Sequence, residues 1–231
     1  VENGWPISAL ITETDKQAGR GQQLLQTETK KWATEQGIAV FQPESKTEIT
    51  EILSQIKPHL AILASYGKII PDEALNIPTY GFLNVHPSLL PKYRGATPLQ
   101  SAILNGDNQT GVTIMKMDAG VDTGGVVAQL PGYVAGQAEP KPKDNNNDTI
   151  TYKMSKEMGE IDWAKSAEQI DRQVRALNPW PSTYTFLGDK RLKILSTQLD
   201  ADKLKLITVQ LEGKKPTPWP EFVRGYQKEL N

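Results

Sequence analysis

Residues 81–95 constrain this chain most, because a short apolar strand there ends in polar side chains and a loop. The apolar run 82–85 lies between Gly and Pro, which is typical of a buried strand in a parallel sheet. Asn84 and His86 are two positions apart, so we expect their side chains on one face of that strand. Ligands bind outside the carboxyl ends of strands in open α/β sheets. Asn84 and His86 are therefore candidates for chemistry.

A second polar loop supports this hypothesis. A lone His is more often a hydrogen-bonded structural residue than a catalytic one, so His86 needs a partner. Residues 113–117 form another apolar strand, which leads into a loop carrying Asp118 and Asp122. If the two strands are neighbours, Asp122 can reach the His86 imidazole, and a carboxylate that orients a His is a recurring acid–base unit. Asp118 is a rival partner at this point.

Composition limits the classes of function. A chain of 231 residues is long enough for one large or two small domains. It has no Cys, which excludes a disulfide framework, a Cys-ligated zinc site and a thiol nucleophile, and its two His argue against a His-rich metal site. No apolar run is long enough to predict a membrane span. The net charge is −1, but the part after residue 150 is basic, which weakly favours an RNA partner.

Alternating strand and helix patterns predict an α/β fold, a Rossmann-like and mostly parallel sheet domain. Helices are predicted for residues 47–57 from apolar periodicity, for the stretch after Thr97, and for residues 22–36, which carry Leu24, Leu25 and Trp32 and end at Gly37. From residue 130 onward, Pro, Gly and Asn predict a linker.

A second, smaller domain is predicted after the linker. Ser166 and Gln169 form a capping box at the start of a helix, and three short strands follow. We therefore expect domains at residues 1–149 and 150–231. Large aromatic side chains dominate small cores, so Trp163, Trp180 and Trp219 are expected in the core of the second domain.

Together, these stretches resemble the 10-formyltetrahydrofolate-dependent formyltransferases. The motifs that carry the resemblance are Asn84-x-His86 followed by Ser-Leu-Leu-Pro, then Arg94-Gly95, Gly111-Val-Thr113 and Asp118-x-Gly-x-Asp122-Thr-Gly124. The flanking stretches are most similar to family members that formylate methionyl initiator tRNA: residues 7–37, 161–163, 177–181 and 213–226. For the second domain, the resemblance implies a reduced, OB-like β-barrel that binds tRNA.

The resemblance implies a formyl transfer from 10-formyltetrahydrofolate to the α-amino group of methionyl initiator tRNA, without a metal. Asn84, His86 and Asp122 would be the catalytic triad. Asn84 and His86 would donate hydrogen bonds to the oxyanion, His86 would also move protons, and Asp122 rather than Asp118 would orient the imidazole.

Substrate contacts follow from the same resemblance. Ser88, Leu89, Leu90 and Pro91 would border the folate, with a cis peptide bond before the Pro. Arg20 would contact the tRNA, with Lys16 as a helper, because an Arg flanked by Gly can approach a phosphate closely. A flexible surface turn with a solvated Arg is the alternative for this loop.

Other functions stay open at this point. The same triad serves formyltransferases that act on glycinamide ribonucleotide or sugar amines, and a formyltetrahydrofolate hydrolase. A catalytically inactive tRNA-binding module is the alternative from a different class. We expect a cytoplasmic monomer that does not associate with membranes.

Two family segments have no counterpart in the sequence. One is a strand and helix before Trp5, and the other is a strand and helix between Gly124 and Leu130. We therefore expect either a fragment or a sequence from which residues have been left out. Bonded Cα atoms lie about 3.8 Å apart, so the separation of Gln129 and Leu130 distinguishes the two. A direct bond would indicate a true deletion, and then weak or no activity.

Overall fold

A computed structural model describes residues 4–18, 23–133, 149–201 and 203–227. It divides into two units, residues 1–86 with 112–129 and residues 87–111 with 130–231. The strands in chain order are β1 (Leu10–Ile11), β2 (Lys16–Ala18), β3 (Gln23–Leu25), β4 (Val40–Phe41), β5 (Ala61–Leu63), β6 (Phe82–His86), β7 (Arg94–Gly95), β8 (Gln109–Lys116), β9 (Val126–Tyr133), β10 (Ile150–Thr151), β11 (Thr183–Leu187), β12 (Lys190–Asp200), β13 (Lys203–Leu211) and β14 (Thr217–Pro218). The helices are α1 (Glu28–Glu35), α2 (Lys46–Ile56), α3 (Asp72–Leu75), α4 (Pro98–Leu104), α5 (Ala167–Leu177) and α6 (Trp219–Gly225), with a 3₁₀ turn at Glu157–Gly159. Among the described helices, none is long and apolar enough to cross a membrane.

The first unit contains short parallel strand pairs, as the alternating pattern predicts. β5 pairs in parallel with β6, and β1 pairs in parallel with β4. β6 also pairs with β8, in the antiparallel sense, within a sheet of order β5-β6-β8-β9. This register places Asn84 opposite Met115 and His86 opposite Thr113, so the polar end of β6 meets the middle of β8.

The core of the first unit forms around α2, whose apolar periodicity predicted a helix. Its Ile49 and Leu53 are buried together with Phe82 of β6. The Ser45 hydroxyl accepts a hydrogen bond from the Glu48 amide at 3.2 Å and caps the helix start. The predicted helix therefore exists nearly as expected, and it supports the strand that carries the candidate residues.

The helix predicted for residues 22–36 is wrong at its start. β3 pairs antiparallel with β2, and α1 begins only at Glu28, after the Thr27 hydroxyl accepts from the Lys30 amide at 3.2 Å. Leu24 and Leu25, which suggested a helical apolar face, are 64% and 53% exposed. Their apolarity therefore does not mark a core-facing stripe. Arg20 lies outside the described residues.

A polar network holds the segment before this hairpin against α1 and β4. The Lys30 ammonium contacts Asp15 Oδ2 at 2.6 Å and donates to Gln42 Oε1 at 2.7 Å. Gln42 Nε2 in turn donates to Asp15 Oδ1 at 2.8 Å and to the Glu13 carbonyl at 2.6 Å. The hydrogen bond from Lys30, followed by that from Gln42, holds the pKa of Asp15 below its usual range.

The second unit packs α5 against an antiparallel sheet of order β11-β12-β13-β14. The capping box is present, because Ser166 Oγ accepts from the Gln169 amide at 3.2 Å and Gln169 Oε1 accepts from the Ser166 amide at 3.0 Å. Ile170 and Val174 of α5 are buried in the same cluster as Ile194 of β12. The part predicted as a small second domain thus contains an antiparallel sheet against which α5 and α6 pack.

The three tryptophans expected in that core differ in burial. Trp219 packs on the core and stacks on Phe222 with ring centroids 5.7 Å apart. Trp163 and Trp180 are 49% and 58% exposed, so the prediction is wrong for them. Aliphatic side chains of α5, β12 and β13 already fill the cluster, which leaves these two rings at the surface.

Gln129 and Leu130 lie within one uninterrupted strand, β9. The linker predicted from residue 130 onward is wrong for residues 130–133, which belong to β9, and the rest of it, residues 134–148, lies outside the described part.

Candidate active site

β6 presents Asn84 and His86 on its buried face. Exposure alternates along the strand. Phe82, Asn84 and His86 are only 5%, 8% and 4% exposed, and the two residues between them are half-buried. This period of two is what a strand with one face toward a core produces. Two polar side chains at the end of such a face are costly to bury unless they have hydrogen-bond partners.

Asp122 supplies a partner for both side chains. The Asn84 amide Nδ2 donates to Asp122 Oδ1 at 3.1 Å, and His86 Nδ1 lies 3.5 Å from Asp122 Oδ2. The second distance is long for a hydrogen bond but within ion-pair range. The His86 and Asp122 side chains are 5% and 14% exposed. The structure thus brings the three predicted residues together around one carboxylate.

Asp118, the rival partner of His86, builds the turn before Asp122. Its Oδ1 accepts hydrogen bonds from the Gly120 amide at 3.0 Å and from the Thr123 hydroxyl at 2.7 Å. Asp122 itself has a φ of 51°, in the left-handed region, which costs a residue with a side chain about 1–2 kcal/mol. The Asp118 hydrogen bonds hold the turn on both sides of that strained residue.

Gly124 allows the Asp122 loop to approach β8 closely. A Cβ built on Gly124 would overlap the carbonyl oxygen of Lys116, while one built on Gly125 would meet nothing within 4 Å. The loop is tied at this point, because the Lys116 amide donates to the Gly125 carbonyl at 2.9 Å. A glycine is therefore needed at position 124 for space rather than for a positive φ.

The loop after β6 has two buried and two more accessible members. Ser88 is fully buried and donates to the Lys92 carbonyl at 2.6 Å, and Leu90 is 8% exposed. Leu89 is half-buried and Pro91 is exposed. The Leu90–Pro91 bond is cis, as predicted. Leu89 and Pro91 therefore carry the more accessible side chains of this loop.

Thr113, to which the sequence motifs gave no separate role, lies opposite His86 in the β6–β8 pair. Thr113 is fully buried, and Gln129 Nε2 of β9 donates to its hydroxyl at 3.0 Å. The sequence signal that could have found it is a Thr between the apolar residues Val112 and Ile114.

Two further expectations concern Lys16 and metal binding. Lys16, the predicted helper of Arg20, is 71% exposed and ion-paired with Glu13. In the described part of the chain, His, Asp and Glu side chains form no group of three that could hold a metal ion.

Comparisons with protein families support the resemblance that the sequence motifs carry. The formyl transferase family model matches residues 2–140, and the model of the formyl transferase C-terminal domain matches residues 153–205. The first match alone covers more than half of the chain. The chain belongs to the formyl transferase family.

Relatives extend the match over nearly the whole chain. A methionyl-tRNA formyltransferase of Dehalococcoides mccartyi is 36% identical over 279 residues, which cover 97% of this chain and 89% of the relative. One of Agathobacter rectalis is 36% identical over 284 residues, with 99% and 92% covered. Both alignments are longer than this sequence of 231 residues, so both relatives have residues within the aligned region that have no counterpart in it.

A solved structure supports the fold. The methionyl-tRNA formyltransferase from Clostridium thermocellum matches with a TM-score of 0.64 and 20% identity, covering 89% of this chain and 99% of that one. At this identity the likeness concerns the fold alone. It agrees with the predicted parallel-sheet domain followed by a small β domain.

The close approach at Gly124 predicts a local and specific effect. Gly124→Ala should lower the free energy of unfolding by about 1–3 kcal/mol, the usual cost of overpacking, because the added methyl group meets backbone that cannot rotate away. Gly125→Ala, one residue further, is the control and should have almost no effect, since its methyl group would enter open space. Urea denaturation of both variants measures this. Equal losses in both would contradict the account of the loop.

Proposed function

We propose that this protein transfers the formyl group of 10-formyltetrahydrofolate to the α-amino group of methionyl initiator tRNA. The observation that carries the proposal is the buried cluster of Asn84, His86 and Asp122, in which one carboxylate holds both an amide and an imidazole. The choice of tRNA as acceptor rests on relatives of 34–38% identity that are methionyl-tRNA formyltransferases.

His86 moves protons in this reaction. The amine nitrogen of the methionyl group forms a bond with the formyl carbon, and the bond from that carbon to N10 of the folate breaks. The amine loses one proton and N10 gains one. Because His86 Nδ1 faces Asp122, we assign the proton transfers to Nε2, the other ring nitrogen. An imidazole held at one nitrogen can accept the first proton and return the second.

Asn84 has a double role. One N–H of its amide donates to Asp122, and an amide carries two N–H groups. The second N–H can donate to the oxyanion that forms on the formyl oxygen. A donor fixed before the reaction stabilises developing charge without reorganisation, which is usually the main source of rate enhancement in reactions of this kind. Asp122 thus positions the oxyanion donor as well as the imidazole.

The folate lies along the loop that follows His86, in our proposal. Leu89 and Pro91 provide the side-chain contacts, because Ser88 and Leu90 are turned inward and hold the loop from within. Apolar side chains of this kind suit the flat ring system of a folate.

The tRNA contacts Arg20, with Lys16 as a helper, and the carboxy-terminal domain of residues 150–231. Lys16 is near Arg20 in the sequence, because Lys16 begins strand β2 and Arg20 follows two residues after the end of that strand. The domain boundary near residue 150, the monomeric state and a cytoplasmic location remain part of this proposal.

Mass spectrometry of the acceptor tests the proposed function. The full chain is incubated with 10-formyltetrahydrofolate and methionyl initiator tRNA, and in parallel with glycinamide ribonucleotide or a sugar amine. We expect a formyl group on methionine alone, and slow transfer because the relatives contain residues that this chain lacks. Formylation of another amine would contradict the acceptor. Folate binding without transfer to any amine would favour the inactive tRNA-binding module.

Arg20→Ala tests the tRNA contact. The KM for methionyl-tRNA should rise, because a charge-assisted contact with phosphate is lost, while the Kd for tetrahydrofolate should not change. Lys31→Ala, which removes an exposed ammonium from α1, is the matched control. An equal effect on folate and tRNA would mean that the Arg20 segment is structural.

A further inference from the structure

A buried carboxylate lies behind the loop of residues 88–91. Asp107 follows α4 closely and precedes β8, and its side chain is 3% exposed. Its Oδ2 accepts a hydrogen bond from the Tyr93 hydroxyl at 2.8 Å and is paired with the Lys92 ammonium. Tyr93 is also buried, at 5% exposure. None of these three residues has a role in the proposed formyl transfer.

The same cluster fixes the end of the loop. Lys92, whose ammonium binds Asp107, also forms two hydrogen bonds through its backbone. Its carbonyl accepts from the Ser88 hydroxyl at 2.6 Å, and its amide donates to the Leu89 carbonyl at 3.1 Å. The loop from Ser88 to Lys92 is therefore closed on itself, and one ion pair ties the closed loop to the junction of α4 and β8.

Tyr93 adds a second tie. Its φ is 61°, a left-handed conformation that side chains rarely adopt, and its amide donates to the Thr149 hydroxyl at 2.8 Å. Burial, with the Asp107 hydrogen bond as the next cause, raises the pKa of the Tyr93 hydroxyl, so the hydroxyl stays protonated and donates. The backbone strain and the buried hydroxyl are both maintained by this arrangement.

We propose that Asp107 is a positioning residue for the folate: through Lys92 and Tyr93 it holds the loop of residues 88–91 in the shape that presents Leu89 and Pro91 to the ligand. This inference rests on the proposed function, because the loop contacts folate only in that proposal. The ion pair has one buried partner, because the Asp107 side chain is 3% exposed and that of Lys92 is 34% exposed. Such a pair gives little net stability over apolar side chains, but it fixes one arrangement of the loop.

The test compares two buried aspartates of the second unit. Asp107→Asn keeps the size of the side chain but removes the charge that binds Lys92. We expect the Kd for tetrahydrofolate to rise about tenfold, with turnover at saturating folate and the KM for tRNA nearly unchanged. Isothermal titration of the full chain with tetrahydrofolate measures the Kd without requiring formyl transfer.

Asp171→Asn is the matched control. Asp171 is 6% exposed and accepts from Arg175 Nε and Thr197 Oγ1, each at 2.8 Å, and it lies in α5. It should lose stability without a change in the Kd for tetrahydrofolate. Tyr93→Phe, which removes only a hydroxyl, should raise the Kd by a smaller factor and serves if Asp107→Asn does not fold.

Three results would overturn the inference. The first is an unchanged Kd in Asp107→Asn or in its substitute Tyr93→Phe, and the second is an equal rise in Asp107→Asn and Asp171→Asn. The third is a wild-type chain that binds no tetrahydrofolate. A wild type that binds tetrahydrofolate but formylates no tRNA would contradict the proposed function instead, and the Kd values of the variants would still decide the role of Asp107.

Discussion

The Asp122 carboxylate is the group on which the arrangement of the site depends. It holds the Asn84 amide through one oxygen and lies beside the His86 imidazole through the other. A buried polar group without a partner costs about 1–3 kcal/mol, so this carboxylate stabilises both side chains at the end of β6. The proposed donor to the oxyanion and the proposed proton carrier are thus set by one group.

The backbone around Asp122 serves that placement. A left-handed residue between strands is strained, and the turn persists because Asp118 binds the backbone of Gly120 and the hydroxyl of Thr123. Gly124 then lets the chain return against β8. The motif Asp-x-Gly-x-Asp-Thr-Gly therefore has a physical explanation in which one aspartate shapes the turn and the other enters the site.

Local signals predicted much of the fold, whereas features that depend on distant packing could not be predicted. α2 followed from apolar periodicity and α5 from the capping box of Ser166 and Gln169, because those interactions lie within a few residues of one another. The proximity of His86 and Asp122 was predicted on the condition that their strands are neighbours, with Asp122 chosen over Asp118 from the resemblance, while the triad roles remain a proposal. By contrast, hairpin pairing with β2 decided the structure of the apolar residues Leu24 and Leu25, which suggested a helix. Trp163 and Trp180 are exposed because other side chains fill the core, and the Asp107 cluster joins residues 14 and 15 positions apart, which no local pattern reveals.

Single-turnover formyl transfer by His86→Ala and Asp122→Asn is the most direct measurement of the central claim. The chain contains two histidines, and the exposed His59 provides the control His59→Ala. The account predicts a rate lowered by about 10²-fold or more in both site variants, the usual contribution of an acid–base group, with folate binding retained and His59→Ala close to wild type. A near-normal rate in either site variant would contradict it.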